Sequence, residues 1–174
     1  MAELIKTYYK DGQLKNMYFE NNGKKEGEYK EYYNNGQLCI ICNYINDRKE
    51  GEHKAYYDNG QLCIISNYIN DKMGGELKSY HDNGQLYVIC NIIDGKIEGE
   101  YKSYHTNGQP YVISNYINGK EEGEYREYYD NGQLREAYNY INGKIEDWKA
   151  EEIDDKDTYD DEETFDEEID EGFR

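Results

Sequence analysis

Residues 25–48 read "KEGEYKEYYNNGQLCIICNYINDR". The stretch is bounded and bisected by turn residues. Asn35-Gly36 sits at its centre, and Asn46-Asp47 closes it. Asn, Asp and Gly tolerate the positive φ that tight hairpin turns require. Between the turns lie Tyr, Ile, Cys and Leu, side chains that suit a pleated, half-buried strand. Turns recur about every 12 residues, which leaves no room for an amphipathic helix of ordinary length. The stretch therefore reads as a β-hairpin followed by a second tight turn.

The same unit is written six times. Tyr8, Tyr32, Tyr56, Tyr80, Tyr104 and Tyr128 each open a "YYxNGQL"-like heptad, and every step between them is 24 residues. "YYDNGQL" at 56–62 and 128–134 is identical. Gly12, Gly36, Gly60, Gly84, Gly108 and Gly132 hold the structural turn in each copy. A fixed period in this range marks stacked supersecondary units. The expected fold is all-β: an elongated, single-layer antiparallel meander of about twelve strands over residues 1–150, with an acidic tail, disordered or a short cap, over 151–174.

With Asn35-Gly36 as a two-residue type I′ loop, Asn34 would face Gln37, Tyr33 would face Leu38 and Tyr29 would face Cys42. Alternation then assigns Tyr29, Glu31, Tyr33, Leu38, Ile40, Cys42 and Tyr44 to one face. Glu28, Lys30, Tyr32, Cys39, Ile41, Asn43 and Ile45 fall on the other. Cross-strand aromatic and β-branched pairs contribute ~0.2–1 kcal/mol each. Repetition along the sheet lets 22 tyrosines support a structure without a second layer.

Charge narrows the partners. The chain holds 38 acidic and 20 basic residues, a net −18. Residues 151–174 contain 14 acids against Lys156 and Arg174, so −12 of that charge lies there. Such a chain repels nucleic-acid backbones and anionic lipid surfaces. The N-terminus "MAELIKTYYKDG" lacks the apolar core of a signal peptide, and no apolar run approaches the ~18 residues of a membrane helix. These features predict a soluble, cytoplasmic protein.

Motifs that resemble catalytic or metal sites fail on geometry. "CIIC" at 39–42 has C-x-x-C spacing, but residues three apart on a strand point to opposite faces. Cys39 and Cys63 share a column two strands apart, ~9.6 Å, beyond the ~7 Å that a disulfide spans. His81 and His105 stand at the same separation, too far for one zinc ion. Both replace aromatics, as His53 replaces a tyrosine, and stacking is the expected role. The chain has no phosphate loop and no ordered Ser/His/Asp set. The reading is non-enzymatic, with no cofactor and no metal.

The residues now on the page resemble a known repeat. Gly27, Tyr29, Tyr33 and Gly36 fall on the first glycine, tyrosine, aromatic and later glycine of the MORN pattern G-x-Y-x-G-x-W-x-x-G. So do Gly99, Tyr101, His105 and Gly108, and Gly123, Tyr125, Tyr129 and Gly132. The middle glycine is replaced by Glu31, Ala55, Ser79, Ser103 and Glu127. The sequence is similar to the divergent MORN variant of bacterial antitoxin-like proteins and of giant DNA virus repeat proteins. Its Asn-, Ile-, Lys- and Tyr-heavy composition suggests an AT-rich genome and the viral group, which would place the protein in the host cytoplasm. The resemblance implies an open β array used for protein contact or membrane tethering, and no catalytic residues.

The candidate contact residues are the aromatics of the first face: Tyr29, Tyr33, Tyr44, Tyr57, Tyr68, Tyr101, Tyr116, Tyr125, Tyr129 and Tyr140. The expected function is a protein–protein interaction scaffold whose partner is basic. A membrane tether and an antitoxin-like neutraliser of a basic protein are the alternatives. The Lys30, Lys54, Lys78, Lys102 and Arg126 column lies beside Glu28, Glu52, Glu76, Glu100 and Glu124, and cross-strand pairing of these charges is expected. The tail, with Trp148 at its root, reads as a solubilising or capping segment, or as an acidic–aromatic recognition element.

Overall fold

The computed structural model describes residues 2–146. They form one open antiparallel sheet of sixteen strands and no helix. Neighbours in sequence are neighbours in the sheet throughout, from Glu3–Tyr8 at one edge to Lys144–Glu146 at the other. This is the single-layer meander of 24-residue hairpins that the sequence predicts. Residues 147–174, including Trp148 and the acidic tail, lie outside the described residues.

Three of the strands are fragments. Arg48–Lys49, Lys96–Ile97 and Lys120–Glu121 each run into a longer strand after a one-residue break. The cause is a wide bulge. Opposite Leu38–Ile45, Lys49 pairs with Tyr44 and Lys54 pairs with Ile41, so the following strand inserts two extra residues. Gly51 takes φ 81° there, and the Glu50 N–H donates to the Asn43 carbonyl at 2.9 Å. Bulges of this kind raise local twist and bend the strand. The first glycine of each copy (Gly27, Gly51, Gly75, Gly99, Gly123) is required by this conformation.

The tip of each repeat is not the type I′ turn expected of it. At the tip, Gly36 N–H donates to the Tyr33 carbonyl (2.9 Å) and Tyr33 N–H donates to the Gln37 carbonyl (2.8 Å). Only Gly36 has positive φ, 83°. This is a three-residue loop, a type I turn completed by a left-handed glycine, and not the two-residue type I′ loop. The true type I′ turns lie half a period away. Asn46 and Asp47 have φ 51° and 67°, between the paired Ile45 and Arg48.

The longer tip shifts the register. Tyr32, not Tyr33, faces Leu38. A bulge at Cys39 then restores Glu31 opposite Ile40 and Tyr29 opposite Cys42. The expected Tyr29–Cys42 pairing stands. Tyr33–Leu38 and Asn34–Gln37 do not, and Leu38 joins Tyr32 on the opposite face.

With no second layer among the described residues, the core is a strip. Cys42, His53, Ser66, Val88, Cys90, Ser103 and Ser114 are the buried residues, and each lies in a column of the Tyr29/Glu31/Ile40/Cys42 face. Burial there is lateral, supplied by large neighbours on adjacent strands. Small side chains therefore disappear from solvent while the tyrosines beside them stay half-exposed.

Candidate interaction face

The face that carries the strip is paved with rings. Tyr29 meets Tyr18 at 6.0 Å, stacked, and Tyr44 at 5.6 Å, edge-on. His53 meets Tyr68 at 5.4 Å and Tyr101 meets Tyr116 at 5.8 Å. Tyr125 meets Tyr138 at 6.0 Å and Tyr140 at 5.8 Å. Each pair falls in the range where aromatic quadrupoles attract, worth ~0.5–1.5 kcal/mol beyond area. Tyr29, Tyr44, Tyr68, Tyr101, Tyr116, Tyr125 and Tyr140 thus share one face, as expected.

That face can seat a cation, and one is seated there by the chain itself. The Lys25 ammonium lies 5.3, 5.2 and 5.1 Å from the ring centroids of Tyr18, Tyr29 and Tyr44. Lys49 lies 5.2 Å from Tyr68. All are within the ~6 Å reach of a cation–π contact. Down the array the Lys25 column becomes Lys49, Met73, Ile97 and Glu121. Its charge changes sign from the first repeat to the last.

The last repeat is acidic as well as aromatic. Tyr116 donates to Glu121 (3.2 Å), Tyr125 to Glu127 (3.2 Å) and Tyr138 to Glu136 (2.8 Å). Burial, then the Glu121 charge, pushes the Tyr116 phenol up to about 12. Burial and the Glu127 carboxylate likewise raise Tyr125. Burial raises the Cys42 and Cys90 thiols, which keeps them protonated and poor nucleophiles. All four cysteines are free.

Tyr33 and Tyr57 are committed elsewhere. The Tyr33 hydroxyl donates to the Tyr56 carbonyl and Tyr57 to Tyr80, both at 2.7 Å. Tyr9 does the same to Tyr32. His81 and His105 hold this position in their repeats, with Nε2 at 2.8 and 2.9 Å from the Tyr104 and Tyr128 carbonyls. Each also packs on the following tyrosine, Tyr87 or Tyr111, with the rings tilted at 48° and 52° and not stacked as expected. The column staples one hairpin tip to the next. Tyr129, in the last copy, is 51% exposed, and Arg135 lies 5.8 Å from its ring.

On the opposite face Lys30, Lys54, Lys78, Lys102 and Arg126 each bind the glutamate two residues before them, at 2.5–2.8 Å. The pairs run along one strand and not across strands, because i and i+2 project side by side. Sequence reasoning missed a ridge here. Ile45, Ile69, Ile93, Ile117 and Ile141 are 43–59% exposed and stand just before the type I′ turns. Their 24-residue recurrence was the available signal.

Among known proteins, the model of the MORN repeat variant matches residues 25–46, 49–70, 73–94, 97–118 and 121–142. Each matched unit is one hairpin centred on its tip. No curated protein matches the chain. A crystal structure of a GtfA/B complex bound to UDP and GlcNAc aligns with a TM-score of 0.22 at 12% identity. The alignment covers 80% of this chain and 24% of that one, and a likeness at that level carries no functional argument.

Proposed function

The chain belongs to the MORN repeat variant family, and from that premise we propose that it is a non-enzymatic interaction scaffold whose aromatic face receives another protein. The carrying observation is the run of half-exposed rings beside a buried strip of mostly small residues, with no second layer over it among the described residues. Tyrosine at a protein interface offers large apolar area, little rotamer entropy and a wet polar tip. The partner is basic. The net charge of −18 steers a cationic protein towards this chain over a Debye length. The paired lysine column on the other face is neutralised by its own glutamates, which supports protein contact over anionic lipid.

Affinity capture from cell extract with the full chain tests the reading. A specific protein retained by wild type should be lost when Tyr68 and Tyr116 become Ser. It should be kept when Lys54 and Lys102 on the opposite face become Ser. Equal retention by both variants would sink the assignment of the aromatic face.

A further inference from the structure

Two trios of tyrosine stand at opposite ends of the sheet with similar ring-to-ring distances, the first drawn from three successive strands and the second from two, because Tyr138 and Tyr140 share Leu134–Ile141. In the first, Tyr29 is flanked by Tyr18 at 6.0 Å with a 30° interplanar angle, and by Tyr44 at 5.6 Å and 67°. In the second, Tyr125 is flanked by Tyr138 at 6.0 Å and 37°, and by Tyr140 at 5.8 Å and 64°. The first trio is filled by the Lys25 ammonium, in reach of all three rings. Among the described residues no lysine or arginine lies over the second.

We propose that the Tyr125–Tyr138–Tyr140 trio is a binding site for the ammonium of a lysine side chain presented by a protein partner. The inference rests on the scaffold reading and names the chemistry of the partner at one end of its face. The trio is half-exposed and bordered by three carboxylates. Arg135 neutralises Glu127, at 2.6 Å. Glu121 and Glu136 each accept one phenol hydrogen bond and keep their negative charge and further lone pairs. Rings supply a negative face to a cation, and a partly desolvated ammonium gains most where carboxylates complete its hydrogen bonds. A carboxylate ligand would meet like charge here, and an uncharged apolar side chain would leave Glu136 and Glu121 uncompensated. Lys25 shows that three clustered tyrosine rings of this sheet receive a lysine ammonium, and beside the second trio its repeat position is held by the acidic Glu121.

The test uses the full chain with isotope-labelled tyrosine rings, titrated by NMR with a short capped Gly/Lys peptide and its Gly/Gln counterpart. Saturable shifts are expected at Tyr125, Tyr138 and Tyr140 with the lysine peptide alone. Tyr138→Leu should weaken binding about threefold or more. Lys25→Met should open a second saturable site at Tyr18, Tyr29 and Tyr44. Uniform shifts over the rings of every repeat would mean general attraction to an acidic surface and would overturn the site. So would an absence of shifts in both wild type and Lys25→Met. Binding that emerges only in Lys149→Ala would show that the chain's own lysine occupies the trio, which also overturns the proposal. None of these failures touches the scaffold reading, which the Tyr68/Tyr116 capture experiment decides separately.

Discussion

The two ends of each hairpin solve the same problem by different means. At the tip, side chains join one repeat to the next. Tyr33 reaches the Tyr56 carbonyl, Asn35 Nδ2 donates to the Asp58 carbonyl at 2.8 Å, and the Gln37 amide lies over Gly60. Asn35 Oδ1 also accepts from Gln37 N–H within its own turn. At the rear, backbone N–H groups are the donors, to one backbone carbonyl and to carboxylate side chains. The Asp71 N–H donates to the Lys49 carbonyl at 3.1 Å, and the Asn70 N–H donates to Glu50 at 2.8 Å. The difference explains the writing of the sequence. The tip repeats almost letter for letter because each letter is read by its neighbour. The rear varies between Asn-Gly, Asn-Asp and Asp-Gly because each of these residues meets the positive φ of the turn, while Glu26, Glu50, Glu98 and Glu122 accept from the turn's first N–H.

Breaking both seams at once should give the largest effect. Deleting residues 49–72, one whole repeat, re-forms every tip-to-tip and rear-to-rear contact. A folded, shorter sheet is expected by circular dichroism and thermal melting. Deleting residues 49–60 places tips against rears and reverses every downstream strand, and loss of cooperative folding is expected. Equal tolerance of the two deletions would refute the seam model.

A single tip substitution comes next. In Gly60 a Cβ would stand 2.6 Å from Gln37 Oε1 at φ 86°, whereas in Gly12 it would meet nothing within 4 Å at φ 89°. Left-handed conformation alone costs a non-glycine residue ~1–2 kcal/mol. Gly12→Ala should lose that amount in denaturant unfolding, and Gly60→Ala only slightly more, because the free end of the exposed Gln37 side chain moves aside.

Removing one staple should cost less. Tyr57→Phe deletes a hydrogen bond to Tyr80, typically ~1 kcal/mol. Tyr129→Phe, whose hydroxyl has no acceptor among the described residues, should change stability by well under half of that. At the rear, Asp71→Gly relieves φ 66° but removes the 2.7 Å bond from Lys49 N–H to Asp71 Oδ1. The two terms oppose, and a change within ~0.5 kcal/mol is expected.

Between the seams the smallest effect should depend on pH. His53 is buried, and burial followed by the Lys49 charge lowers its pKa from 6.5. As pH falls below 6.5, the unfolded chain takes up the proton before the folded one does. Stability from this group is therefore complete above that pH, and is lost as pH falls towards the lowered folded value. The melting temperature of wild type should drop across that window by more than that of His53→Tyr, which restores the tyrosine that Tyr29, Tyr101 and Tyr125 hold in this column.

Much of this was legible in the residues. The 24-step of the "NGQL" heptads announced hairpins in series, and the alternation of Tyr29, Glu31 and Ile40, Cys42, Tyr44 marked the shared face. The tip's type was misread because Asn-Gly suits both loop lengths. The Gly36 and Tyr33 hydrogen bonds and the positive φ of Gly36 alone distinguish them, and the Cys39 bulge conceals the one-residue error from every position beyond it. The ammonium seat was not legible, because the rings of Tyr18, Tyr29 and Tyr44 come from three strands and only the strand pairing brings them together around Lys25.

The sequence by itself determined the architecture, since a short repeat with a turn at each half-period can bury its residues only by lying edge to edge with its copies. The tertiary structure alone decided the roles of the tyrosines. Those near the tips became staples and those at mid-strand became an open ring-lined face, because a phenol finds a neighbouring carbonyl only where the strands have closed to the next loop.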